Sequence, residues 1–129
     1  MLNILIVDDS AVMRAMIIKT FKLCGIPFGE IMEASNGKEG IEVIDTKWVD
    51  LILADINMPV MNGIEMIDKI QKNPQTADTP IIVISTESSQ TRIEALKNKG
   101  VHFVKKPFTP EILRETITNI IGIKFNGKD

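Results

Sequence analysis

Ile4-Leu5-Ile6-Val7 is an unbroken aliphatic run that stops at Asp8-Asp9-Ser10. A run this short, rich in β-branched residues and ended by acids, reads as a strand buried on both faces, as in a parallel sheet covered by helices. The same grammar recurs three times further on. Leu51-Ile52-Leu53-Ala54 stops at Asp55, Ile81-Ile82-Val83-Ile84 at Ser85, and Phe103-Val104-Lys105 at Lys106. In an open α/β sheet the carboxyl ends of parallel strands share one edge, and ligands bind there. Asp8, Asp9, Asp55, Ser85 and Lys106 are therefore expected at one site, although they span nearly a hundred positions.

Helical patterns fill the intervals, so strand and helix alternate five times. Residues 3–7 form the first strand, and a helix over 11–24 follows with Met13, Ile17, Phe21 and Cys24 on its inner face. Ile31–Ala34 is a short second strand. Asn36 caps the next helix, with Glu39 in the capping-box position and Ile41, Val43 and Ile44 as its apolar side. A third helix begins near Asn62-Gly63, buries Ile64, Ile67 and Ile70, and stops before Pro74. The fourth, over 88–98, has only Ile93 and Leu96 as large anchors and is expected to be the least firmly packed. Thr109 caps the last helix and Pro110 takes its first position, with Leu113, Ile117, Ile120 and Ile121 facing inward. Asn126–Asp129 reads as a frayed tail. The expected fold class is α/β, a doubly wound five-stranded parallel sheet, with one domain over 1–122 and a polar tail over 123–129.

Composition narrows the function. The 129 residues are 44% apolar with a net charge of −2 and both signs scattered, which suits a single domain and gives no electrostatic reason to bind nucleic acid or a membrane surface. There is no basic-then-apolar leader, and apolar runs fall well short of the roughly 20 residues that span a bilayer, so a cytoplasmic location is expected. Cys24, the only cysteine, is expected to be a small buried hydrophobe. The seven methionines read as core filler.

The strand-end residues suggest a chemistry. Mg²⁺ is held by one or two carboxylates together with waters and phosphate oxygens. Asp9 and Asp55 can supply the carboxylates, Asp8 can hold a bound water, and the Met58-Pro59 corner can turn in the Asn57 carbonyl. Mg²⁺ and Lys106 together balance the charge of the acids. The same pair would neutralise an incoming phosphate, letting the Asp55 carboxylate attack phosphorus, with Ser85 donating to a phosphoryl oxygen. Taken singly, each residue has a plainer reading: a helix-terminal acid, a turn aspartate, a loop hydroxyl, a surface lysine. Their coincidence on one sheet edge separates the two readings. His102 has no companion ligands and reads as structural, and Lys97, Lys99, Lys105 and Lys106 would alone be a solvated face.

Over residues 3 to about 121 the chain resembles the receiver domains of two-component signalling, specifically the stand-alone CheY-like kind. The matching runs are Ile6-Val7-Asp8-Asp9-Ser10 with Met13-Arg14, Asp55-Ile56-Asn57-Met58-Pro59-Val60-Met61-Asn62-Gly63, Pro80 through Ser85, and Lys106-Pro107-Phe108-Thr109. The resemblance implies a flavodoxin-like (βα)5 topology with strand order 2-1-3-4-5, the order of flavodoxin and CheY-type sheets. It also implies Mg²⁺ (or Mn²⁺) in an acidic pocket of Asp8 and Asp9, with Asp55 as phosphoacceptor. Ser85 and Phe103 would be switch residues, Lys106 the phosphate-binding lysine ahead of a cis bond to Pro107, and Asn57 and Glu87 the pair that tunes dephosphorylation.

The implied donor is a sensor histidine kinase or a histidine phosphotransfer domain. The implied output is a protein bound through the fourth helix, fifth strand and fifth helix of a monomer, possible in chemotaxis, with no enzyme activity beyond the chain's own phosphorylation and dephosphorylation. The alternatives are a phosphate sink or relay intermediate and, from a different class, an aspartate-based phosphohydrolase. Two features depart from the family pattern. Phe103 stands where chemotaxis regulators usually carry tyrosine, with the Gly100–Lys106 segment one residue short, and Thr86 stands where alanine is common, an expected obstacle to the inward swing of the ring. With only 21 residues after Phe108, no output domain is expected.

Overall fold

A computed structural model describes residues 2–56, 61–86 and 89–124, the side chains of residues 121, 123 and 124 apart. Strands and helices alternate as β1 (Leu2–Val7), α1 (Ala11–Leu23), β2 (Phe28–Ala34), α2 (Gly37–Thr46), β3 (Leu51–Ala54), α3 (Gly63–Lys72), β4 (Ile81–Ser85), α4 (Gln90–Asn98), β5 (His102–Lys105) and α5 (Pro110–Lys124). All strand pairs are parallel, in the order β2-β1-β3-β4-β5. This is the doubly wound sheet expected from the apolar runs and the order implied by the resemblance.

Strand alternation divides the core into two layers. Ile4, Ile6, Leu51, Leu53, Ile82, Ile84 and Val104 face one way and meet Ile17 and Phe21 of α1 and Leu113, Ile117 and Ile120 of α5. Leu5, Val7, Ile52, Ala54, Ile81 and Val83 face the other way and meet Met66, Ile67 and Ile70 of α3 and Leu96 of α4. β3 and β4 are wholly buried and β1 is so from Ile4 to Val7, which is why these runs carry no polar alternation. Cys24 is buried as expected, with its Sγ against the Thr20 and Pro110 carbonyls.

Several local readings need correction. The second strand starts at Phe28, not Ile31: it is an edge strand whose Gly29 and Glu30 are exposed, and the Asn3 side chain accepts from the Glu30 amide at 2.9 Å. One-sided burial hides the apolar signal there. Glu39 does not close a capping box. Asn36 does accept from the Glu39 amide at 2.9 Å, but the Glu39 carboxylate accepts from the Ser35 amide and hydroxyl at 2.8 and 2.7 Å. These bonds hold its carboxyl below the usual range. The complete box lies on α3, between Asn62 and Glu65. Met66, not Ile64, is fully buried on α3. Met66 and Met32 are core filler, whereas Met16 is 53% exposed on α1. The four lysines form no common face, since Lys99 pairs with Asp68 at 2.8 Å and Lys106 turns into the sheet edge. Other readings hold. Thr109 accepts from the Ile112 amide at 3.1 Å and α5 starts at Pro110, while α4 has Leu96 as its one buried residue. The Met58-Pro59 corner, the Ile121 side chain and the Asn126–Asp129 tail lie outside the described residues.

Candidate functional site: an acidic cluster at the carboxyl edge of the sheet

Adjacent strands in register bring their ends together. Val7 pairs with Ala54, so Asp8 and Asp55 leave the sheet side by side, and the Asp55 amide still donates to the Val7 carbonyl at 3.0 Å. Across the sheet, Ser85 pairs with Lys105 and the Lys106 amide donates to the Ser85 carbonyl at 2.8 Å. The Lys106–Pro107 bond is cis. The register thus delivers a lysine from β5 to the acids of β1 and β3.

Asp8, Asp9 and Asp55 each offer a carboxylate oxygen, and the three oxygens lie within 4.8 Å of one another. Asp8 is buried, Asp55 half-buried and Asp9 exposed, a gradient from the floor of the site to its mouth. The Lys106 ammonium stands 3.6 Å from Asp8 Oδ2 and 3.9 Å from Asp55 Oδ2. The Ser10 amide donates to Asp8 Oδ1 at 2.9 Å, and the Ile56 amide to Asp55 Oδ1 at 2.7 Å. Burial pushes the Asp8 carboxyl above the usual 3.8, against the pull of the Ser10 amide and Lys106, with the neighbouring Asp55 and Asp9 charges adding to the rise.

Asp8 Oδ2 is buried without a hydrogen-bond partner. A buried charged oxygen left so is costly unless something positive meets it. Three converging carboxylate oxygens, from residues one of which also keeps a buried oxygen free of any hydrogen bond, are the all-oxygen donor set that a hard divalent cation takes. The residues fit such an ion. Among the described residues no other acidic, histidine or cysteine group clusters in this way.

Gly63 keeps the end of β3 tight. A Cβ there would run into the Asp55 carbonyl and approach Ile56 Cα to 2.7 Å. The Gly63 amide donates to the Ile56 carbonyl at 3.0 Å, so α3 starts directly against the strand end. Further out, the Met61 carbonyl accepts from the Gly37 amide at 2.8 Å and ties the same loop to α2.

Ser85 is buried at the end of β4. Phe103 is half-buried against the layer that holds α3 and α4, on the same side of the sheet as Val83. Thr86 is exposed and faces the opposite side, where it lines a groove of about 330 Å³ with Met13, Met16, Lys106, Pro107 and Phe108. Thr86 therefore does not stand in the path of the Phe103 ring. Thr86 follows the end of β4 and lines this groove beside Lys106, so it bears on access to Lys106 instead. Asn57 and Glu87 lie outside the described residues. Arg14, a residue of the Met13-Arg14 motif with no site role expected from sequence, donates from Nη1 to the Asp8 carbonyl at 2.7 Å. His102 is half-buried at the far end of β5, and no helix among the described residues is long and apolar enough to cross a membrane.

Residues 4–118 match the response regulator receiver domain family. The chain is 32% identical over 123 residues to a chemotaxis protein CheY homolog of Campylobacter jejuni, covering 94% of this chain and 93% of that one. It superposes on the chemotaxis response regulator CheY4 of Vibrio cholerae with a TM-score of 0.80 at 33% identity, over 93% of this chain and 98% of that one. It is also 35% identical over 118 residues to part of the autoinducer 1 sensor kinase/phosphatase LuxN of Vibrio campbellii, where it spans 13% of the longer protein. Receiver domains take phosphoryl groups from histidine kinases and pass the signal to a target, which is signalling and not classical enzymology. Three convergent acids, a lysine between two of them and a 2-1-3-4-5 sheet thus have one explanation: the chain belongs to the response-regulator receiver family and is a CheY-like, phosphorylation-activated response regulator.

Proposed function

We propose that Asp55 accepts a phosphoryl group from the phosphohistidine of a sensor kinase or histidine phosphotransfer domain, and that the phosphorylated monomer signals to a protein partner in chemotaxis. The observation that carries this is the Lys106 ammonium, 3.6 and 3.9 Å from the carboxylates of Asp8 and Asp55 within a cluster of three acids. Asp55 is the half-buried member, open enough to meet a donor. Its carboxylate forms an O–P bond as the donor's P–N bond breaks; the imidazole nitrogen keeps that electron pair and takes up a proton. Asp8, Asp9, Asp55 and the Asn57 carbonyl would hold Mg²⁺ or Mn²⁺, which supplies positive charge to the phosphoryl oxygens. Lys106 holds a second set of those oxygens and turns from Asp55 toward the phosphate. The Ser85 hydroxyl donates to a third.

Asn57 and Glu87 set how readily water reaches the acyl phosphate. Ser85 and Phe103 carry the response to α4, β5 and α5, which form the target surface. The single buried anchor of α4 supports that choice, because a weakly held helix is the cheapest part of the fold to shift. The chain's own phosphorylation and dephosphorylation are the only reactions it catalyses. Incubation with acetyl phosphate and Mg²⁺ should give an alkali-labile mass gain of one phosphoryl group. Asp55→Asn should abolish it, and stoichiometric labelling of that variant would move the nucleophile elsewhere.

A further inference from the structure

Consecutive residues of an extended chain point to opposite sides, so Asp8 and Asp9 can both reach Asp55 only if the peptide between them leaves strand geometry. The hydrogen bonds show where it leaves. The Asp8 amide still donates to the Ala34 carbonyl of β2 at 3.1 Å. The Asp8 carbonyl instead accepts from Arg14 Nη1 at 2.7 Å. Arg14 Nε donates to Glu33 Oε1 at 2.9 Å, and the arginine side chain is only 17% exposed. One guanidinium thus bridges the acid loop and the neighbour of Ala34 on β2, from the first turn of α1.

We propose that Arg14 is a positioning residue for the cation site, holding the Asp8–Asp9 peptide in the orientation that makes the two carboxylates converge. This rests on the reading of the acid cluster as a cation site. Without the brace, the peptide can rotate and the mutual repulsion of three carboxylates drives Asp9, the exposed member, outward. The requirement is for the planar fork, since Glu33 already meets the charge of Arg14. Lysine offers one point donor and cannot hold both acceptors in this geometry.

The test is calorimetric titration of Mg²⁺ into the full chain and its Asp9→Ala, Arg14→Met, Arg14→Lys and Glu33→Gln variants. Thermal melts without metal and acetyl phosphate labelling across Mg²⁺ concentrations accompany it. Arg14→Met and Arg14→Lys should each weaken Mg²⁺ about 10-fold, the lower end of what residues orienting metal ligands contribute. Glu33→Gln should weaken it less. Labelling at saturating Mg²⁺ should return to the wild-type rate, because Arg14 does not touch the phosphoryl group. Wild-type affinity in Arg14→Met overturns the proposal, and wild-type affinity in Arg14→Lys reduces the role to charge and overturns it as stated. Metal affinities that merely track the metal-free melting temperature would mean a general structural role and overturn it too. Should the wild-type protein bind no Mg²⁺, or Asp9→Ala bind as well as wild type, the cation-site reading itself has failed.

Discussion

Replacing Asp8 by asparagine should make the metal-free protein more stable while removing its response to Mg²⁺. Attraction between Asp8 and Lys106 at 3.6 Å is about 4–5 kcal/mol at an effective dielectric of 20. Repulsion from an Asp55 oxygen within 4.8 Å is about 3–4 kcal/mol on the same footing. Asp9 is exposed, so solvent screens most of its share. These nearly cancel, and what is left is a buried carboxylate with one oxygen that accepts no hydrogen bond. An amide keeps the acceptor for the Ser10 N–H and turns the orphaned position into a donor beside two carboxylates. The net gain should be about 1–2 kcal/mol, within the usual cost of an unsatisfied buried group. For a domain of this size that is a rise in Tm of roughly 3–6 °C per kcal/mol.

The pH dependence carries the sign. Asp8 holds its proton more tightly folded than unfolded, where its value is the ordinary 3.8. The native protein therefore takes up a proton first as pH falls, and wild-type stability rises through that window until the unfolded chain is protonated too. The advantage of Asp8→Asn should be full at neutral pH and shrink toward pH 4 (roughly the unfolded value) in chemical denaturation without metal. A variant less stable than wild type at neutral pH, or an advantage that does not change with pH, would refute this account.

Gly63→Ala should destabilise by about 1–3 kcal/mol and slow acetyl phosphate labelling, because the added methyl meets the Asp55 carbonyl; denaturant melts and mass spectrometry read the two effects. Mg²⁺ should barely change Trp48 emission, since Trp48 is 76% exposed, donates from Nε1 to Asp50 at 2.8 Å, and precedes β3 at the end of the sheet opposite the acids. Strong quenching lost in Asp9→Ala would contradict that placement. A beryllofluoride phosphate mimic should slow hydrogen exchange across α4 and β5; protection confined to the peptides holding Asp8, Asp9 and Asp55 would argue against a relayed switch.

The inner strands were legible because burial on both faces leaves a sequence no freedom to alternate, and each run stops at a polar or charged residue at the sheet edge. Edge strand β2 was only half legible, since Gly29 and Glu30 face solvent. Convergence of Asp8, Asp55 and Lys106 followed from topology alone. The brace did not: Arg14 and Glu33 are 19 residues apart on different elements, and nothing local links them. A clue lay in an arginine four places beyond Ser10, the cap of α1, where a helix turn returns it over the acid pair. The side on which Thr86 lies was not legible, because the residue follows the end of β4 and its place in the groove with Met13 and Phe108 depends on tertiary packing.

Lys106 enters from β5, and β5 is held by Val104 under Leu113 and Ile117 of α5. A ribosome therefore releases the acids long before the cation that completes their pocket. Until α5 has closed over β5, a nascent chain offers a phosphodonor two uncompensated carboxylates at the depth of Asp8 and Asp55 and no ammonium. On the proposed role of Asp55, competence to receive a phosphoryl group therefore arrives only with the last strand of the sheet.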